Sequence, residues 1–142
     1  MLGYNVCFAV GLICVIHCGY SPLKIDIDRE LPVFSHEELS QYNGKDTEKP
    51  VYLAVKGVVF DVSEGRRFYG PGGNYHMMAG KDVSRAMATQ ELMDQDMTHD
   101  VAGLSDDQLQ SLDNMFTKLY LTKYKKVGYM QYLLEENGKT EL

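Results

Sequence analysis

Val51-Tyr52-Leu53-Ala54-Val55-Lys56-Gly57-Val58-Val59-Phe60-Asp61-Val62 is the stretch that sets the architecture. Two runs rich in β-branched and aromatic residues flank Lys56-Gly57, a pair suited to a tight turn. The pattern predicts a β-hairpin, with Val51–Val55 as one strand and Val58–Val62 as the returning one.

Upstream, Ser35-His36-Glu37-Glu38 has the form of a capping box, with Ser35 as cap and Glu38 reaching back. It predicts a short helix ending near Tyr42-Asn43-Gly44. Residues 20–33 read as a linker with an extended piece around Ile25 and Ile27. Downstream, Gly65 to Gly80 is glycine-rich and aromatic, and Asp82 is placed to cap a helix over Val83–Thr89. Glu91 to Gly103 reads as irregular and polar. Ser105-Asp106-Asp107-Gln108 is a second capping box, opening a longer helix with Leu109, Leu112, Phe116, Leu119, Tyr120 and Lys123 on one face. Val127-Gly128-Tyr129 is a candidate last strand, and residues 133–142 read as a frayed polar tail. The sum is an α+β domain, a small sheet with short helices beside it.

Composition narrows the function. With 44% hydrophobic residues the 142-residue chain carries a packed core. The net charge of -6 excludes nucleic acid and anionic membrane surfaces, which need a basic face. Residues 1–18 contain no Asp, Glu, Lys or Arg, and Phe8 to Ile16 is an apolar run of signal-peptide length. This predicts a cleaved signal peptide over residues 1–19, with a retained membrane anchor as the alternative. Cys7, Cys14 and Cys18 all fall in or beside that segment, so the folded domain has no disulfide framework, zinc site or thiol nucleophile to draw on.

Chemistry concentrates in Phe68-Tyr69-Gly70-Pro71-Gly72-Gly73-Asn74-Tyr75-His76-Met77-Met78-Ala79-Gly80-Lys81-Asp82. The glycines allow tight turns and close backbone approach. No Gly-Lys-Ser/Thr follows, and no dinucleotide fingerprint is formed. Tyr69 and Tyr75 with the paired methionines suit the wall of a flat apolar ligand. Taken alone, they suit ordinary half-buried core residues equally well.

The hairpin, the Phe68–Tyr75 loop, Ala79-Gly80-Lys81-Asp82-Val83-Ser84-Arg85, Thr98-His99-Asp100, Phe116-Thr117-Lys118 and Lys123-Tyr124-Lys125-Lys126-Val127-Gly128 together resemble the membrane-associated progesterone receptor family, whose domains are cytochrome b5-like. The likeness runs from about Leu31 to Tyr132 and looks nearest to the secreted, neudesin-like branch. It implies a cytochrome b5-like fold over residues 34–132, a small sheet with short helices flanking a haem pocket. Gly70 precedes Pro71-Gly72-Gly73 where cytochrome b5 has its first axial histidine, and Leu92 falls near the place of the second. In the family a tyrosinate is the sole axial ligand; the matching residue is Tyr75, with Tyr69, Lys123 and Tyr124 around it. The implied cofactor is ferric haem b, with the iron on Tyr75 and the phenolate favouring the ferric state.

Other residues leave alternatives. His76 reads as a rim residue or as a competing iron ligand, and His36 as a solvated first-turn residue. Arg66 and Arg67 read as propionate partners or as a solvated charged turn. Asn74 departs from the proline of many relatives. The expected function is a secreted haem-binding protein, reaching the outside through the endoplasmic reticulum, with a signalling or carrier role and no enzymatic one. Its implied partners are haem, a cell-surface receptor and steroid. The alternative is an endomembrane-anchored haem protein supporting monooxygenases or sterol metabolism, meeting the membrane only through a retained N-terminal segment.

Overall fold

The computed structural model describes residues 3–9 and 12–140. Gly3–Ala9 (β1) and Leu12–Cys18 (β2) pair antiparallel with each other and join no other strand. This two-stranded ribbon covers most of the segment expected to act as a signal peptide or anchor. No helix among the described residues is long and apolar enough to cross a membrane.

The predicted hairpin is present as Tyr52–Val55 (β4) and Val58–Asp61 (β5). Lys56 (φ 54°) and Gly57 (φ 77°) both have positive φ, the signature of a turn whose twist matches the strands. Gly57 has a second reason to be glycine, since a Cβ there would lie 2.8 Å from Leu133 Cβ. Val33–Phe34 (β3) and Lys125–Met130 (β6) complete a four-stranded sheet in the order β3-β6-β5-β4. β6 runs parallel to β3 and antiparallel to β5, with a bulge at Val59/Phe60.

Strand alternation sorts the sheet's side chains into two cores. Leu53, Val55, Val58, Phe60 and Tyr129 face the larger one, while Ala54, Val59 and Met130 face a smaller one closed by Leu39. Leu39 belongs to His36–Ser40 (α1), which the Ser35–Glu38 capping box opens. The free edge of β4 is covered by the chain itself. Gly80 N–H donates to the Tyr52 carbonyl (2.7 Å), Ala54 N–H to Lys81 (2.9 Å) and Val83 N–H to Ala54 (2.8 Å).

The larger core is closed by Arg66–Tyr69 (α2), Ser84–Thr89 (α3) and Asp106–Met115 (α4). Ser105 caps α4 through the expected box with Gln108. The expected long helix continues as a π-turn over Phe116–Tyr120 and a last turn, Leu121–Lys123 (α5). α3 starts one residue later than expected, with Val83 at its capping position and no side-chain bond from it, while Asp82 makes the expected bond to the first turn. Its buried carboxylate accepts from Ser84 N–H (3.0 Å), Ser84 hydroxyl (2.6 Å) and Tyr132 hydroxyl (2.6 Å).

Residues 20–32 form no regular element, yet they strap the domain. Ile25, Ile27 and Leu31 pack on the larger core, and Asp28 N–H donates to Tyr129 Oη (2.8 Å). Tyr20 hydroxyl donates to Asp113 (2.7 Å), which is also ion-paired with Lys56. The polar 91–103 segment is pinned by Arg85, which donates to the Asp100 and Ala102 carbonyls (3.1 Å each) and faces buried Asp96 at 3.4 Å. Where the charged C-terminal residues suggested a frayed tail, Gln131–Thr140 form a helix (α6). Leu133 explains it, being buried against the hairpin turn.

Candidate functional site

The glycine-rich loop is folded tightly enough to present two tyrosines side by side. A Cβ at Gly73 would lie 2.2 Å from the Phe68 carbonyl oxygen, so only glycine fits. Gly73 N–H donates to Gly70 (3.0 Å) and Tyr75 N–H to Phe68 (2.8 Å), closing the loop. The Tyr69 and Tyr75 rings then stand 6.0 Å apart between centroids.

Both rings line a cleft of about 450 Å³, within the range of small-molecule sites. Met78, Ala86, Met87, Leu92, Met115 and Leu119 supply its apolar wall, and Tyr120 and Gln90 complete it. Leu119 and Tyr120 both lie in the π-turn and both line this wall; such turns recur at functional sites.

The tyrosines differ in environment. Tyr69 and Tyr120 are buried, and their hydroxyls bond each other at 3.1 Å. Burial pushes the Tyr69 phenol far above its ordinary range, with neighbouring Tyr120 and Tyr124 adding to it. Burial raises Tyr120 as well, although its hydrogen bond from Tyr69 opposes the shift. Both therefore stay neutral. Tyr75 is 40% exposed at the cleft mouth, and among the described residues its hydroxyl has no protein hydrogen-bond partner.

Of the four residues singled out by sequence, the fold brings three together. Tyr124 is buried behind Tyr69, ring edge to face at 6.4 Å, and does not line the cleft. Lys123 lies outside, exposed, with its ammonium 5.3 Å from the Tyr124 ring centroid. Tyr120 was legible only as one position on an apolar helix face; its hydroxyl partner is 51 residues away, which local pattern does not reveal.

No histidine among the described residues lines the cleft. His76 Nδ1 donates to the Tyr69 carbonyl (3.0 Å), and His36 and His99 stack on Tyr132 elsewhere. No cluster of three His, Cys, Asp or Glu suited to a metal occurs among the described residues. Arg66 is tied to the Lys49 carbonyl (2.9 Å), and Arg67 lies over the Phe68 ring at 4.5 Å. An apolar slot with a phenol oxygen at its mouth fits a flat hydrophobic ligand carrying one oxygen-seeking centre, as haem does.

Comparison with known proteins agrees with this geometry. Residues 35–131 match the model of the cytochrome b5-like heme/steroid binding domain. Membrane steroid-binding protein 2 of Oryza sativa is 49% identical over 102 residues, 72% of this chain but 38% of that protein. The chain thus aligns with well under half of that relative's length. Probable steroid-binding protein 3 of Arabidopsis thaliana is 46% identical over 95 residues, 67% of this chain and 94% of that protein. A solved Arabidopsis thaliana structure with a cytochrome b5 like fold superposes with a TM-score of 0.65 at 42% identity, over 76% of this chain and 98% of that one. The chain belongs to the family of cytochrome b5-like heme/steroid-binding domains, as its resemblance to the membrane-associated progesterone receptors implied.

Proposed function

We propose that the cleft binds ferric haem, with the Tyr75 phenolate as the iron ligand, and that the chain is a secreted, neudesin-like carrier or signalling protein and not an enzyme. One observation carries the ligand assignment: Tyr75 is the unpartnered oxygen donor on the cleft wall, in a site that no described histidine lines. Bound haem supplies a ferric centre that prefers an anionic oxygen. Tyr69 packs against Tyr75 and fixes its ring, Tyr124 backs Tyr69, and Lys123 adds positive charge from outside the cleft. The charge-free run at residues 1–18 supports export, and a cell-surface receptor is the partner such a role requires.

Titration of the chain with hemin tests this. The native protein gives a high-spin tyrosinate spectrum; Tyr75→Phe loses it and binds hemin more weakly, while the circular dichroism of the domain is kept. Reduction of the iron weakens binding, because ferrous iron holds phenolate less well. An unchanged spectrum in Tyr75→Phe together with its loss in His76→Ala would replace the tyrosine by the histidine. A steroid is a second ligand class, favoured by the apolar wall of methionine and leucine and by the names of the relatives. Progesterone that displaces hemin places both in one cleft.

A further inference from the structure

Only two non-glycine residues among those described have positive φ, Lys56 and Gln90. Lys56 is accounted for by its turn and by its ion pair with Asp113. Gln90 is not. It ends α3 at φ 60° and ψ 25°, where its N–H closes on the Ala86 carbonyl (2.8 Å). Glycine fills this position without strain, whereas a side chain there is strained. Among the described residues the Gln90 amide has no hydrogen-bond partner, and it stands exposed on the cleft wall.

A backbone strain retained at a ligand-lining residue calls for a use at that residue. Apart from Gln90, the cleft's polar groups are three phenols. Tyr69 and Tyr120 are committed to each other, and Tyr75 is taken by the iron in the reading above. No cationic side chain lines the cleft. A porphyrin with its apolar edge among the methionines and leucines must turn its carboxylates outward, since a carboxylate is not buried unpaired. Gln90 is exposed on this wall and is its one polar group besides the phenols.

We propose that Gln90 is a specificity-determining residue of the cleft, its side-chain amide donating a hydrogen bond to a carboxylate of the bound porphyrin. This rests on the haem reading and adds to it the contact that selects an acidic porphyrin over a neutral one. The probes are hemin and hemin dimethyl ester, titrated spectroscopically against the native chain, Gln90→Gly and Gln90→Glu, with the melting temperature of each ligand-free chain.

Gln90→Gly relieves the strained φ, so the ligand-free melting temperature rises. Its hemin affinity falls about tenfold, the loss of one charge-assisted hydrogen bond, while affinity for the ester changes less than twofold. Gln90→Glu sets carboxylate against carboxylate and weakens hemin further, again sparing the ester. A Gln90→Gly chain that melts higher but binds hemin within twofold of native overturns the assignment, as does an equal loss for both probes. If the native chain binds neither probe, the haem reading falls and takes this contact with it; native binding with an unmoved Gln90→Gly removes this contact alone.

Discussion

The phenol oxygens of Tyr69 and Tyr120 stand 3.1 Å apart at the back of the cleft, each the other's hydrogen-bond partner in a region both rings bury. Removing the Tyr69 hydroxyl leaves Tyr120 buried without its partner, a cost of about 1–3 kcal/mol, and removing that of Tyr120 leaves Tyr69 with Tyr124 alone. Tyr69→Phe and Tyr120→Phe should each lower the urea midpoint accordingly. The double variant should cost less than the sum of the two, because it leaves no orphan. Additive losses would show that the hydroxyls are satisfied independently.

The same pair contributes to the alkaline limit, together with Tyr132, whose phenol burial also raises. Burial raises both phenols above their ordinary value, so they stay protonated in the fold and ionise on unfolding. Their contribution to stability is fully present below pH about 10 and is lost as pH rises beyond it. Well above that pH each steepens the fall by about 1.4 kcal/mol per pH unit; across pH 9 to pH 11, which straddles the unfolded value, each takes away about 1.4 kcal/mol in all. Denaturant unfolding between pH 9 and pH 11 should show a smaller loss of stability in the doubly substituted chain than in the native one.

Arg85 is expected to control the 91–103 segment. Its removal abandons two carbonyl bonds and leaves Asp96 as a buried, unpaired carboxylate whose Oδ2 already has no partner. Arg85→Ala should destabilise the domain by about 3 kcal/mol. Hydrogen exchange should quicken over 94–103 while the hairpin amides stay protected. Arg85→Ala/Asp96→Asn should recover part of the loss, since the uncompensated charge goes with it.

Processing gives a further expectation. If the charge-free N-terminal run is a signal peptide, the exported chain begins between Gly19 and Ser21. Sequencing the N-terminus of protein from culture medium checks this. Recovery only in membranes, with Met1 still in place, favours the anchored alternative.

Much of this was readable from sequence where the determinants are local. Lys56-Gly57 between two apolar runs marks the hairpin, and Ser35 and Ser105 mark two helix starts, because each needs only residues within three or four positions. The tyrosines of the glycine-rich loop were legible as a cleft wall for the same reason. Distance in sequence hides the rest. Val33–Phe34 is a strand only because β6 lies beside it, and α6 exists because Leu133 finds the hairpin turn. Tyr120, the strained Gln90 and the π-turn acquire meaning only once the cleft has formed.

The strand order has a consequence for how the molecule is made. β6, the last of the sheet's four strands in sequence, lies inside the sheet, between β3 and β5. Until it docks, β5 presents a bare ladder edge, the kind of surface that invites pairing with another chain. The rear of the cleft arrives nearly as late, because Met115, Leu119 and Tyr120 precede β6 by only a few residues. A ribosome-bound chain that has emerged only as far as Lys123 therefore still exposes the β5 edge, and should bind chaperone in preference to hemin.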